Sequence, residues 1–220
     1  MFITLEGIEG SGKTTQIEHI VRFLEGKGRR CIATREPGGT VIGSRIRSIL
    51  LDPECRDLHP KAELLLYMAD RAQHIHTIIL PGLAAGRTVV CDRYLDATLV
   101  YQGAVRGLGP EFARRLHQMV FDDLQPDLTL LLDLPARTGL NRAIGQIADG
   151  SRNQAESRFE EEALSFHEKV RTGYLDLARQ NARRFRIIDA TRTQNQVREQ
   201  ILEVLSVFIQ SSIQTKKQAE

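Results

Sequence analysis

Gly7-Ile8-Glu9-Gly10-Ser11-Gly12-Lys13-Thr14 fits the phosphate-cradling pattern G-x-x-x-x-G-K-[ST]. Ahead of it, Phe2-Ile3-Thr4-Leu5 is short, apolar and rich in strand formers. Behind it, Thr15 to Leu24 repeats apolar residues at helical spacing. Glycines let the backbone fold tightly round an anion. Successive backbone N–H groups and the positive end of the following helix supply fixed partial charge. In this setting Lys13 can reach the β- and γ-phosphates of a nucleoside triphosphate, and the Thr14 hydroxyl can hold Mg²⁺. The phosphate site is expected to comprise Gly7, Ile8, Glu9, Gly10, Ser11, Gly12, Lys13, Thr14 and Thr15.

The chain has 220 residues, enough for one α/β domain with a sizeable core. Its 30 Lys and Arg against 28 Asp and Glu give a formal charge of +2, with the signs mixed along the chain. A nucleic-acid partner would call for a clustered basic face, so none is expected. Cys31, Cys55 and Cys91 have neither metal-ligand spacing nor the look of a disulfide framework. Cys31 and Cys91 lie in apolar strand-like runs and read as packed thiols. No apolar stretch is long enough to span a bilayer, and the chain opens on a strand rather than a signal peptide. A cytoplasmic location follows as the expectation.

A second strand is expected at Arg29–Thr34, followed by Arg35-Glu36-Pro37-Gly38-Gly39-Thr40 and a helix from about Ile42 to Leu51. A long helix is expected from Lys61 to Leu80, then a strand Arg87–Cys91 ending at Asp92-Arg93-Tyr94. Helical segments lead to about Phe121, interrupted at Gly107-Leu108-Gly109-Pro110. Asp127–Asp133 is nearly all apolar, as in a strand buried on both faces of a parallel sheet. A short helix is expected at Ala136–Ile144, and a polar surface loop from Gly145 to Ser157. Helix follows from Arg158 to Gln180, then strand Phe185–Ile188, then a helix from Gln194 to Ile209 with a tail that frays from about 213 onward. Strands alternating with helices imply a doubly wound, five-stranded parallel sheet with ligands at the strands' carboxyl ends.

What accepts the phosphoryl group is the next question. Asp92-Arg93 lies just past a strand end, where Arg93 can match phosphate oxygens bidentately, or where the pair can serve as a surface ion pair or a metal-binding aspartate. Tyr67 and Arg71 share a helix face. Spacing alone favours a packed ring and a solvated charge over a ring stacked on a base. Tyr101-Gln102-Gly103 can add a second aromatic wall and an amide.

Taken together, these stretches resemble the thymidylate kinases of bacteria across essentially the whole chain. The resemblance rests on Glu6 to Thr15, Arg35-Glu36-Pro37-Gly38-Gly39-Thr40 with Ile46-Arg47, and Leu65-Leu66-Tyr67 with Arg71, Gln73 and His74. It continues in Asp92-Arg93-Tyr94, Tyr101-Gln102-Gly103, Asp133, and Arg158-Phe159-Glu160 leading into Phe166 and Tyr174. It implies a three-layer α/β/α P-loop kinase forming a single domain over 1–220, with a lid at about 145–157. The implied reaction moves phosphate from ATP to dTMP. By motif position Tyr67 would stack on thymine, Arg71 would bond a base carbonyl, and Thr98 and Gln102 would meet the pyrimidine edge. Tyr101 would crowd out a 2′-hydroxyl, and Arg47 and Arg93 would hold the acceptor phosphate. Glu9 would stand near the acceptor sugar and the metal. Thr14, Asp92 and Glu160 are the candidate metal-side oxygens, and the segment from Asp189 to Thr191 would lie near the adenine. A homodimer built through helices is also implied, with the long helix from Lys61 a candidate.

The loop itself carries no arginine at Ile8, Glu9, Gly10 or Ser11, so the additional catalytic charge should come from the lid, as Arg152 or Arg158, joining Lys13 and Arg93. Three positions depart from the family pattern: Ser44 in place of glutamate, Ala97 in place of a frequent serine, and Ser157 in place of aspartate. They bear on the support of Arg47, the acceptor site and the lid. Rival readings are another nucleoside monophosphate kinase or a deoxynucleoside kinase, which needs a base to activate a hydroxyl. From a different class comes a nucleotide-binding switch with no small-molecule acceptor.

Overall fold

The computed structural model describes residues 1–218 apart from residue 152, with side chains described as far as Ser211. Five strands form its sheet: β1 (Phe2–Glu6), β2 (Cys31–Arg35), β3 (Thr88–Asp92), β4 (Leu128–Asp133) and β5 (Phe185–Asp189). All pairings are parallel, in the order β2-β3-β1-β4-β5. Register places Leu5 beside Asp92 and Glu6 beside Leu131, so β1 and β3 end side by side. The connection leaving β1 runs past β3 to β2, whereas the one leaving the adjacent β3 runs past β1 to β4, and that divergence opens the crevice where ligands settle in such sheets.

Burial explains the apolar run of β4. Leu128, Leu130 and Leu132 are fully buried and Leu131 nearly so, on both faces of a central strand. Each contributes roughly 1.5–3 kcal/mol of transfer free energy. The edge strand β5 instead exposes Arg186 and Ile187. Helices cover both faces: α1 (Lys13–Gly26) packs on β2, β3 and α9 (Gln194–Gln218), while α7 (Ala136–Ala148) packs on α8 (Leu164–Gln180), which lies against β4 and β5. The remaining helices are α2 (Val41–Leu51), α3 (Pro60–His74), α4 (Leu80–Ala84), α5 (Leu95–Thr98) and α6 (Pro110–Phe121).

Several boundaries differ from expectation. The long helix is α3 carried into α4 through a π turn at Ile75–Ile79. That turn precedes Pro81, which lacks the N–H a regular helix would bond to Thr77. A second π turn, Leu99–Val105, holds Tyr101 and Gln102. The stretch expected as loop from Gly145 is helical to Ala148, with a 3₁₀ turn at Gln154–Glu156. Arg158 to Glu161 is turn rather than helix, with Arg158, Phe159 and Glu160 buried, and regular helix begins only at Leu164. Helix α9 extends to Gln218, through most of the segment expected to fray.

Candidate active site

The loop between β1 and α1 is shaped by glycines at positive φ, Gly7 at 142° and Gly12 at 92°. A Cβ on Gly7 would meet the Leu132 carbonyl oxygen at 2.5 Å, so that position requires glycine. Gly12 caps α1 without a side-chain hydrogen bond, which leaves the helix's first N–H groups to an anion. Lys13 folds back over the loop. Its Nζ donates to the carbonyls of Gly7 (3.0 Å) and Ile8 (2.9 Å) and to Ser11 Oγ (3.2 Å). Burial, and then the nearby Arg93 cation, push the Lys13 ammonium down to about 8. Thr14 Oγ1 donates to Asp92 Oδ2 at 2.9 Å, bringing two of the expected metal-side oxygens together at the end of β3.

Arg93 follows directly, at φ 67°, a left-handed conformation that non-glycine residues seldom adopt. It is held there by its own N–H to Leu5 O (2.9 Å). Its guanidinium donates to Glu9 Oε1 (2.8 Å) and to the Tyr174 hydroxyl (3.0 Å), and lies 5.0 Å from the Tyr101 ring centroid. Glu9 also accepts from the Tyr101 hydroxyl (2.7 Å) and pairs with His167 Nδ1 (3.2 Å). Burial alone would raise the Glu9 carboxyl, but Arg93, His167 and Lys13 outweigh it and hold Glu9 far below the usual range. Behind them Tyr174 donates to Glu6 Oε2 (2.7 Å), and Tyr94 N–H donates to Glu6 Oε1 (2.9 Å). Burial, reinforced by Asp96, pushes Glu6 up to about 7 against the pull of Arg93.

Arg71 is fixed on the far side of the cavity with its side chain 1 % exposed. Its Nε donates to Glu36 Oε2 (2.8 Å), and Nη2 donates to the Tyr94 carbonyl (3.0 Å) and Thr98 Oγ1 (2.8 Å). Glu36 holds His74 Nδ1 with its other oxygen (2.8 Å), and His74 Nε2 meets Thr34 Oγ1 (2.6 Å). Burial would raise the Glu36 carboxyl, yet Arg71 and His74 bring it below the ordinary value. Gln102 is buried, its Nε2 donating to Glu63 Oε1 at 2.7 Å.

These groups surround one cavity of about 660 Å³, whose walls include Glu9 to Thr15 and Arg47, Tyr67, Arg71, Asp92, Arg93, Thr98, Tyr101, Gln102 and Glu160. Gly7 and Ile8 serve it through the carbonyls that hold Lys13. Arg47 reaches the cavity, but its Nε and Nη2 donate to Glu156 Oε2 (3.0 and 2.7 Å) and its Nη1 to Pro37 O (3.1 Å). Arg158 is the exception. It donates to Leu50 O (2.6 Å) and Glu63 Oε2 (2.6 Å), buried and outside the cavity wall, so here it is a structural cation rather than one poised over a triphosphate. Arg152 lies outside the described residues. Of the three departures, Ala97 lines the cavity, Ser44 lies exposed on α2, and the Ser157 carbonyl accepts from Glu160 N–H at 2.9 Å.

Sequence reasoning gives no place in the site to Glu63, Glu156 or His167. Glu36, His74 and Tyr174 enter it only through the resemblance. One signal was available: Glu63, Tyr67, Arg71 and His74 recur three or four residues apart, on one face of α3.

The sequence model of the family described as thymidylate kinase matches residues 5–201. A thymidylate kinase of Desulfosudis oleivorans is 56 % identical over 190 residues, covering 86 % of this chain and 89 % of the relative. One of Desulforapulum autotrophicum is 55 % identical over 202 residues, covering 92 % of this chain and 89 % of the relative. The crystal structure of thymidylate kinase from Ehrlichia chaffeensis superposes with a TM-score of 0.74 at 31 % identity, covering 93 % of this chain and 98 % of the other. With the phosphate loop, the paired arginines and these relatives in agreement, the chain belongs to the thymidylate kinase family.

Proposed function

We propose that this protein transfers the γ-phosphoryl group of ATP to the phosphate of dTMP, giving dTDP and ADP. The carrying observation is that Lys13, Arg93, Arg71 and Tyr67 all line one cavity in front of the phosphate loop, with room for a second nucleotide. An oxygen of the dTMP phosphate forms the new bond to Pγ while the bond from Pγ to the β,γ-bridging oxygen breaks, and the electron pair leaves with ADP. The second pKa of a phosphate monoester is about 6, so the nucleophile is mostly ionised at neutral pH and needs no strong base. The obstacle is repulsion between two polyanions, and catalysis is a matter of alignment and positive charge.

Each side chain has a place in that scheme. Lys13 turns from the loop carbonyls to the β- and γ-phosphates. Arg93 and Arg47 hold the acceptor phosphate, Arg71 bonds the base, Tyr67 stacks on it, and Thr98 and Gln102 meet its edge. Tyr101, its hydroxyl on Glu9, blocks a 2′-hydroxyl. Thr14 and Asp92 would hold Mg²⁺, with Glu160 a further carboxylate near it. A short, all-oxygen donor set fits a cation that keeps several waters and binds largely through substrate phosphates. When bound, the ion neutralises phosphate charge and orients the triphosphate. Arg152 is proposed on sequence grounds as the lid's cation.

The proposed assembly is a homodimer in the cytoplasm, with exposed Val41, Ile42 and Ile49 on α2 and Leu65 on α3 as apolar surface for it. The test is a coupled ADP-release assay across dTMP, dUMP, UMP, dCMP and thymidine. A clear preference for dTMP is expected. Activity confined to UMP would overturn the Tyr101 assignment, and ATP turnover indifferent to every acceptor would favour a switch.

A further inference from the structure

We propose that Glu63 is a specificity-determining residue that never touches substrate. It locks the polarity of the Gln102 amide, so that the cavity accepts a pyrimidine with a protonated ring nitrogen beside a carbonyl and rejects one with a bare ring nitrogen beside an amino group. This rests on the function proposed above and names what selects the base.

An unrestrained glutamine offers either end of its amide to a ligand. Gln102 is restrained. Its Nε2 donates to Glu63 Oε1 at 2.7 Å, and Glu63 is itself fixed by Arg158 Nη2 on its other oxygen at 2.6 Å. A carboxylate paired with a guanidinium only accepts, so it takes the NH₂ end and leaves the Gln102 carbonyl oxygen for the cavity. Both Glu63 and Gln102 are about 1 % exposed, so no water competes for either place.

Arg71 is committed in the complementary sense. Of its five N–H groups, Nε–H goes to Glu36, and Nη2 serves the Tyr94 carbonyl and Thr98 Oγ1. Among the described residues Nη1 meets only the Met68 sulfur, at 3.5 Å, a weak acceptor. The cavity therefore presents one acceptor from Gln102 and one donor edge from Arg71. Thymine offers a ring N–H beside a carbonyl and matches both. Cytosine offers a ring lone pair beside an amino group and opposes both.

The test compares kcat/KM for dTMP and for 5-methyl-dCMP, which has the same outline and differs only in that edge. In the wild-type enzyme dTMP is expected to be preferred by at least about 100-fold, since a site built to hydrogen-bond one pattern strongly rejects its inverse. In Glu63→Gln the neighbour can either donate or accept, the Gln102 amide can turn over, and the preference should narrow by about tenfold or more. Glu63→Gln/Arg158→Met removes both charges together and guards against a variant that fails only because Arg158 is left unpaired. In a Gln102→Ala background, Glu63→Gln should no longer move the ratio. A purely structural Glu63 would lower activity on both nucleotides alike and leave the ratio unchanged in every variant, which overturns the inference while the dTMP preference stands. A wild-type enzyme indifferent to all monophosphates would overturn the proposed function, and this inference with it.

Discussion

Replacing Glu36 with alanine should damage the protein in two separable ways. Glu36 and Arg71 have side chains 3 % and 1 % exposed, and the same carboxylate also holds His74. Removing it strands a buried guanidinium on its Nε side and leaves His74 Nδ1 unpaired. Breaking one side of a buried, hydrogen-bonded ion pair costs about 3–5 kcal/mol. At about 2–4 °C per kcal/mol for a chain of this size, the expected fall in Tm is about 10 °C. The sign with pH follows from the Glu36 carboxyl being held below its ordinary value near 4.5. The stabilisation is fully present above that value and is lost as pH falls through the folded-state value, so the gap between wild type and variant closes only in acid. The second effect is on Arg71, which loses one of three anchors, so KM for dTMP should rise several-fold while KM for ATP stays put. Thermal melts at pH 7 and pH 3.5, with initial rates at a temperature where both proteins are folded, separate the two. Glu36→Ala/Arg71→Met should be less destabilised than Glu36→Ala, because no stranded charge remains. A Tm within about 2 °C of wild type, against the about 10 °C fall expected for breaking such a pair, with dTMP KM unchanged, would refute the reasoning.

The Lys13 ammonium, at about 8 in the free protein, should be pushed up once a triphosphate replaces the carbonyls around it. From about pH 8 upward ATP binding should then take up a proton and weaken with rising pH over the same range, which calorimetry in buffers of different ionisation enthalpy detects; binding with no proton uptake at about pH 8.5 counts against it. Arg158→Met should behave as a stability variant, losing about 3–5 kcal/mol because Glu63 is left buried with the Gln102 amide and the more distant Arg106 cation in place of its close ion pair. Arg152→Ala should melt like wild type and lose kcat by roughly 10³-fold if it supplies the transition-state charge. Single-turnover rates with melts on the same samples distinguish these outcomes, and the reverse pattern would exchange the two roles.

What could be read from the sequence depended on how local each cause was. The five strands and the phosphate loop were legible because short apolar runs, glycines and a helix start all lie within a few residues of one another. Arg71 was ambiguous, since its solvated and buried readings fit the same i, i+4 spacing. What decides it is Glu36, 35 positions away in the chain, which only the folded β2–α2 connection brings to 2.8 Å. Glu63 reads as an ordinary surface acid of a helix's first turn, and its burial depends on Arg158, 95 positions later. Arg158 to Glu161, expected as helix, is turn, and the pair that buries Arg158 is a tertiary contact that local periodicity cannot register.

The cations around the cavity are already engaged before any nucleotide arrives, and the way each is engaged sorts their functions. Arg71 and Arg93 are held by Glu36 and Glu9, carboxylates buried in the wall, and each keeps its place with donors turned inward. Such prior fixing is what lets a charge act on a developing anion without reorganising at the moment of reaction. Lys13 and Arg47 are engaged differently. Lys13 caps carbonyls of its own loop, and Arg47 holds Glu156, in the 3₁₀ turn of the segment expected to act as a lid. Both interactions use N–H groups that the proposed scheme gives to phosphate, so in that scheme each is exchanged when substrate binds. If Arg47 takes the acceptor phosphate as proposed, Glu156 loses both of its hydrogen bonds from Arg47 at that moment. The two buried pairs, by contrast, ask for no such exchange, and this is what separates the cations that shape the cavity wall from those proposed to meet phosphate.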